Sequence, residues 1–173
     1  MYQEKEKQRK LKKREENLIL ESQLVKSQKK EVFEHWELDS VVSSRGESKA
    51  CFATFVELKT RFYVAIKMPD RSKNSMLEAI KQLTSNIPKE AFKTFTSDRG
   101  KEFSCWKKVE EMGIDFYFAD PYCSWQRGCN ENSNGLLREF YPKKTDISKV
   151  ETEDLIRTLI LINSRPRKCL NYA

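Results

Sequence analysis

The stretch HWELDSVV, residues 35–42, sets the frame for the rest of the chain. Its aromatic and β-branched residues favour an extended strand. Side chains alternate along a strand, so Trp36 and Leu38 share one face while Glu37 and Asp39 share the other. Two further runs of the same texture follow at Ala50–Leu58 and Phe62–Met68, separated by SSRGES and by the short Lys59–Thr60 link. Three strands with short links predict an antiparallel meander. Next, Met76, Leu77, Ile80, Leu83 and Ile87 recur at helical spacing, and Pro88 supplies a stop. Phe92–Thr96 predicts a fourth strand that delivers Asp98 at its carboxyl end. A helix carrying Phe103, Trp106 and Val109 ends near Gly113, and Phe116–Ala119 predicts a fifth strand. DPYCSWQRGC is loop-like from its Pro and Gly. A helix then starts at Asn130 or Glu131 with Leu136, Leu137 and Phe140 inward, and Leu155–Ile162 forms a last amphipathic helix. This order implies an α/β domain, a five-stranded mixed sheet with helices packed on its faces.

Upstream of that frame the texture is different. Net charge is +7, with ten Lys/Arg against five Asp/Glu in residues 1–30 and 23 against 21 in the remainder. A basic arm suits a polyanionic partner, because neutralised phosphates release counterions, although a solvated tail fits equally well. Leu11, Leu18, Val25 and Val32 recur every seven residues, but Arg14, Glu21 and Gln28 fill the complementary positions, so half of a coiled-coil seam is missing. Residues 1–33 therefore read as a basic helical or disordered arm, and 34–173 as the folded domain. The five cysteines include no CxxC pair and stand beside a single histidine, His35, which argues against a disulfide framework or a Cys/His zinc site. The longest apolar run, Leu155–Ile162, is interrupted by Arg157 and too short to span a bilayer, so neither a membrane nor a secretory route is expected; a cytoplasmic setting is the default.

Three carboxylates stand in distinctive contexts: Asp39 in HWELDSVV, Asp98 in FTSDRGKEF and Glu131 in WQRGCNENSNGLL. Hard divalent cations take oxygen ligands, and a two-metal phosphoryl-transfer site holds its ions roughly 3.5–4 Å apart. Carboxylates arriving from separate elements suit such a site. If the first strand is central and the fourth pairs beside it, Asp39 and Asp98 become neighbours, and Glu131 in the first turn of a helix crossing the sheet completes the cluster. Plainer roles compete. Asp-Arg-Gly is an ordinary turn signal, an acid in a first helical turn complements the helix dipole, and Asp39 could pair with a lysine. Glu37, Glu102 and Asp120 are rival carboxylates that spacing does not exclude.

HWELDSVV, TFTSDRGKEF, GIDFYFADPYCSWQRGCNENSNGLLREFYPKKTDIS and NSRPRKCLNY, taken in order from about Glu34 to Tyr172, resemble successive motifs of bacterial transposases of the insertion-sequence-30 family, within the retroviral-integrase-like DDE recombinases. The resemblance implies a ribonuclease-H-like fold and a catalytic triad falling on Asp39, Asp98 and Glu131. It also implies two Mg2+ or Mn2+ ions held by those three residues, no small-molecule cofactor, and DNA as partner. The implied reaction is phosphodiester hydrolysis that exposes a 3′ hydroxyl, followed by its attack on target DNA. Leu38 and Arg99 depart from the family's WEGD and DNG patterns; Leu38 faces away from Asp39, whereas Arg99 stands next to Asp98. The family's amino-terminal helix-turn-helix region has no counterpart in residues 1–33, which suggests a catalytic-domain fragment working with a full-length transposase or as a homo-oligomer. A nuclease of the same fold and an inactive remnant that only binds nucleic acid are the rival expectations.

Further residues suit DNA handling. Trp125, Gln126 and Arg127 lie in the loop before Glu131, where an aromatic face could stack on a base and Arg hold phosphate; packing of Trp125 against the sheet edge is the simpler role. Asn130 and Asn134 suit either DNA contact or helix capping. Arg165, Arg167 and Lys168 form a basic exit from the last helix, for phosphate or for helix-terminus electrostatics.

Overall fold

The computed structural model describes residues 34–44, 46, 48–119 and 128–172. The basic arm, Asp120 and the Trp125–Gln126–Arg127 expectations lie outside these residues. Within them the chain runs β1 (His35–Val42), β2 (Cys51–Glu57), β3 (Tyr63–Met68), α1 (Lys73–Asn86), β4 (Thr94–Ser97), a 3-10 turn (Lys101–Cys105) leading into α2 (Trp106–Glu110), β5 (Asp115–Phe118), α3 (Gly128–Phe140) and α4 (Thr152–Ser164). The expected five-stranded mixed sheet is present, in the order β3-β2-β1-β4-β5. β1, β2 and β3 form the antiparallel meander, whereas β4 and β5 extend the sheet from β1 in parallel.

An aromatic ladder explains why β4 docks beside β1. Trp36 pairs in register with Phe95, which pairs with Phe116, and all three side chains are buried. Phe92 bridges the first two, with ring centroids 5.4 Å from Trp36 and 5.7 Å from Phe95. The Trp36 indole also donates to Ala91 O at 2.9 Å, which satisfies its one polar atom inside the core. Slipping β4 by one residue would turn Phe95 to the opposite face, so this ladder holds the register.

Strand alternation divides the interior into two layers. Trp36, Leu38, Ala53, Phe55 and Phe95 pack with α1 and α2 on one face, while Val41, Phe52 and Val56 pack with α3 and α4 on the other. β2 lies between β1 and β3 and is buried along its whole length. Ser72 starts α1, its hydroxyl accepting from Ser75 N. The β2–β3 hairpin is tied by Glu57, whose Oε2 accepts from Lys59 N, Thr60 N and the Thr60 hydroxyl, and Arg61 takes a left-handed conformation with φ 61° to close it.

One packing expectation is corrected. Phe140 is exposed rather than inward, because the inner stripe of α3 runs Asn130, Ser133, Leu137 and on to Tyr141 beyond the helix. Its amino-terminal half is polar since it faces polar positions of the sheet, and Phe140 falls on the outer flank. Among the described residues no helix is long and apolar enough to cross a membrane.

Candidate active site

Parallel pairing carries two of the singled-out acids toward one another, Asp39 inside β1 and Asp98 just past the end of β4. β1 and β4 pair as His35↔Thr94, Trp36↔Phe95 and Glu37↔Thr96. Asp39 and Asp98 each follow the last of these pairs by two residues, Asp98 just beyond β4. Both side chains are half-buried. Asp39 Oδ1 accepts from Ser40 N at 2.8 Å, and its Oδ2 accepts from the Asn134 amide at 3.1 Å. Asp98 Oδ1 accepts from Gly100 N at 2.8 Å, the turn geometry its Asp-Arg-Gly sequence favours.

The α3 side of Asp39 is a chain of fixed polar groups. Asn134 gives its amide hydrogen to Asp39 while its Oδ1 accepts from the Tyr63 hydroxyl at 2.7 Å. Burial pushes the Tyr63 hydroxyl far up, with the Asp39 charge adding to the effect, so Tyr63 stays a donor. Fixing both ends of the amide fixes its orientation. Glu131 lies three residues before Asn134, hence on the same side of α3, and is exposed. Among the described residues no three of His, Cys, Asp and Glu are gathered tightly enough to hold a metal ion. Asp39 and Asp98 supply the hard oxygen donors a divalent cation favours, and Glu131 is presented from the helix turn that carries Asn134.

The two rival acids that can be followed have other occupations. Glu37 is almost fully buried, and its Oε2 accepts from Asn130 N at 2.8 Å in the first turn of α3. That is a carboxylate placed on the positive end of a helix. Glu102, also buried, accepts through Oε1 from the Ser40 hydroxyl at 2.8 Å and from Arg71 Nε at 2.5 Å. Arg71 holds its proton more firmly than usual: partial burial works against its charge, but Glu102, then Asp98 and Asp39, outweigh that. Gly100 sits where these groups converge. A Cβ there would lie 2.6 Å from Glu102 Oε2 and 2.9 Å from Asp98 Oδ1, so only glycine leaves both carboxylates in place.

The DNA-contact expectations are placed unevenly. Asn130 is fully buried and accepts from the Thr54 hydroxyl at 3.2 Å, turned toward the sheet and away from any outside partner. Asn134 orients Asp39. Arg165 pairs with Glu139 at 3.3 Å, eight residues along α3 from Glu131, or about 12 Å at the helical rise. Arg167 donates to Ile162 O at 3.4 Å and Lys168 is exposed beyond it. The basic exit is thus set apart from Glu131 along the helix. Arg71, Ser40 and Tyr63 were not singled out from sequence. Only the position of Arg71 after a strand end and just before the Ser72 helix start could have marked it.

The sequence model of the integrase core domain matches residues 29–124. Over 139 residues the chain is 34% identical to the transposase InsI for insertion sequence element IS30A of Escherichia coli (strain K12), covering 80% of this chain and 36% of that protein. It is 37% identical over 140 residues to a probable transposase for insertion-like sequence element IS1161 of Streptococcus salivarius, covering 81% of this chain and 40% of that one. The chain therefore spans 36–40% of the length of these curated relatives. Among solved structures, the HTLV-2 integrase catalytic core domain in complex with magnesium, in a trimeric form, superimposes with TM-score 0.58 at 14% identity, covering 79% of this chain and 88% of that one. The simian T-cell lymphotropic virus intasome in complex with the PP2A regulatory subunit B56 gamma gives TM-score 0.57 at 16% identity over 75% of this chain and 47% of the matched chain. These likenesses speak to the fold, the ribonuclease-H-like sheet of integrase cores. With the match extending over more than half of its length and the sheet order in hand, the chain belongs to the integrase core domain family.

Proposed function

We propose that residues 34–173 form the catalytic core of a DNA transposase that hydrolyses a phosphodiester and transfers the exposed 3′ end to target DNA, with Asp39, Asp98 and Glu131 as its acids. The observation that supports this reading is the parallel β1–β4 pairing, which runs to Glu37↔Thr96, two residues before Asp39 and Asp98 in their respective segments; ligands of open α/β sheets bind beyond the carboxyl ends of such strands. Similarity to transposases over four fifths of the chain supports the substrate class. Asp39, Asp98 and Glu131 would hold Mg2+ or Mn2+, two ions, which when bound stabilise charge on the attacking and leaving oxygens.

The chain's own residues prepare that site. Asn134, itself held by Tyr63, fixes the rotamer of Asp39, and the Gly100 amide fixes that of Asp98. Glu131 would approach from α3, whose first turn is seated by Glu37. A homo-oligomer or a full-length transposase as partner, the basic arm of residues 1–33 as an accessory DNA contact and a cytoplasmic setting belong to the same reading.

The test is a divalent-metal-dependent assay on a pre-cleaved DNA end, which needs no end-recognition domain. Cleavage or joined products are expected with the wild type and background levels with Asp39→Asn, Asp98→Asn and Glu131→Gln. DNA binding without either product at any metal concentration would make the domain a non-catalytic binder. Undiminished activity in all three variants would refute the assignment of the acids.

A further inference from the structure

We infer that Arg71 is a phosphate-holding residue of this site, its guanidinium braced by Glu102 so that it meets a backbone phosphate of the DNA strand lying across Asp39 and Asp98. The inference rests on the functional reading above and adds to it a substrate contact outside the three acids.

Topology brings Arg71 to the right rim. β1 ends at Val42, which pairs with Cys51 at the start of β2, and Cys51 pairs with Met68 at the end of β3. β3 thus runs in the same direction as β1, and Arg71, three residues past its end, lies at the end of the sheet toward which β1 runs, where its partner Glu102 also takes the hydroxyl of Ser40, the residue after Asp39. The ion pair is lopsided in exposure: the Arg71 side chain is 47% exposed and that of Glu102 only 2%. A buried acid beneath an exposed guanidinium is a brace. It takes one edge, Nε, at 2.5 Å, and among the described residues no hydrogen bond takes up the Nη groups. Guanidinium is planar with several donors, so an arm fixed at Nε still presents a fork suited to two phosphate oxygens.

The brace is coupled to the acids. Glu102 Oε1 also accepts from Ser40, the residue after Asp39, and Glu102 shares the close approach at Gly100 with Asp98 Oδ1. Arg71 further lines an open cleft with Ser43, Ser44, Lys49 and Ser72 at this end of the sheet. The acid in that cleft, Asp70, accepts from Ser72 N at 3.0 Å and from the Ser75 hydroxyl at 2.7 Å. Its carboxylate is engaged at the start of α1, while Lys49 and Arg71 give the cleft two cations. An anionic backbone fits this lining. A cation fits it poorly.

The test measures binding of a pre-cleaved DNA end by fluorescence anisotropy, in chelator without metal, across a salt series. For wild type against Arg71→Ala, about tenfold weaker binding is expected, as for loss of a hydrogen bond to a charged group, with a salt slope lower by about 0.9, one phosphate contact. Substituting single phosphates by uncharged methylphosphonate should weaken wild-type binding at one position next to the reacting end and leave Arg71→Ala unaffected there. Glu102→Gln separates this from a purely structural ion pair, because it removes the brace but keeps the cation. The contact predicts an unchanged salt slope for Glu102→Gln, whereas an ion pair serving only stability predicts the same defect in both variants. If the wild type binds and cleaves DNA but Arg71→Ala matches it in slope and methylphosphonate pattern, this inference falls while the functional reading stands. Failure of the wild type to bind DNA at all overturns both.

Discussion

Glu37 and Glu102 are buried carboxylates on opposite faces of the same sheet, both within reach of the strand that carries Asp39, yet their charges are met differently. On the α3 face, Glu37 rests on a backbone N–H in the first turn of a helix, where the helix end supplies roughly half a positive charge. On the α1 face, Glu102 meets a full guanidinium and a hydroxyl, with ion-pair geometry that must offset the desolvation of both partners. The first arrangement seats a helix, and through it Asn134 and Glu131. The second seats a cation and the Gly100 turn, and through that turn Asp98. Asp39 is thus held from one face and Asp98 from the other, and under the proposed function damage to either face should reach activity by a different route.

The largest effect after loss of the acids themselves is expected on the α1 face. Ala at position 100 suits the backbone there, with φ −60° and ψ 148°, but its Cβ collides with Glu102 and Asp98. Gly100→Ala should lower kcat by about a hundredfold, the scale set by displacing a catalytic group by about an ångström. Thermal melting should fall as well, because Glu102 is buried and ion-paired, but proportionately less than kcat. Equal losses of activity and stability would mean the turn acts only in folding. On the α3 face, Asn134→Ala should cost about tenfold in kcat, as for groups that orient metal-binding side chains, with KM for DNA little changed. Tyr63→Phe should reproduce part of it by freeing the far end of the amide.

Glu37→Ala should act chiefly on stability. It leaves Asn130 N without its acceptor and should cost about 1–3 kcal/mol, read as a lower urea midpoint at constant m-value, with Glu37→Gln recovering most of the loss. Comparable stability in wild type and Glu37→Ala would break the contrast between the faces. The smallest effect lies away from both acids. Hydrogen bonds from Ser48 and then Ser148 lower the Asp146 carboxyl from 3.8 to about 2. A depressed carboxyl stabilises the fold above its unfolded value, and that contribution disappears as pH falls through the folded one. The stability difference between wild type and Asp146→Asn should therefore be present at neutral pH and close between about pH 4 and pH 2.

Much of this was legible along the chain because it depends on local period. Alternation in HWELDSVV put Glu37 and Asp39 on one face, helical spacing marked α1 and α4, and Asp-Arg-Gly marked the turn that holds Asp98. Phe140 was misread for a related reason. Sequence period locates an apolar stripe but does not reveal that Asn130 and Ser133, facing polar sheet positions, belong to the buried side. The choice among acids was equally out of reach from spacing, since Glu37, Asp39 and Glu102 differ in their partners rather than in their neighbours.

By itself, then, the sequence determined the strands and helices, the alternation that puts Glu37 and Asp39 on one face of β1, and the family resemblance that points to Asp39, Asp98 and Glu131. Only the tertiary structure decided that β4 pairs beside β1, through the Trp36–Phe95–Phe116 ladder. It also decided that Glu102 braces Arg71 and that Asn134 holds Asp39. Those pairings join residues 31 and 95 positions apart. No local pattern encodes them, because they exist only once burial of apolar surface has brought the two faces of the sheet under their helices.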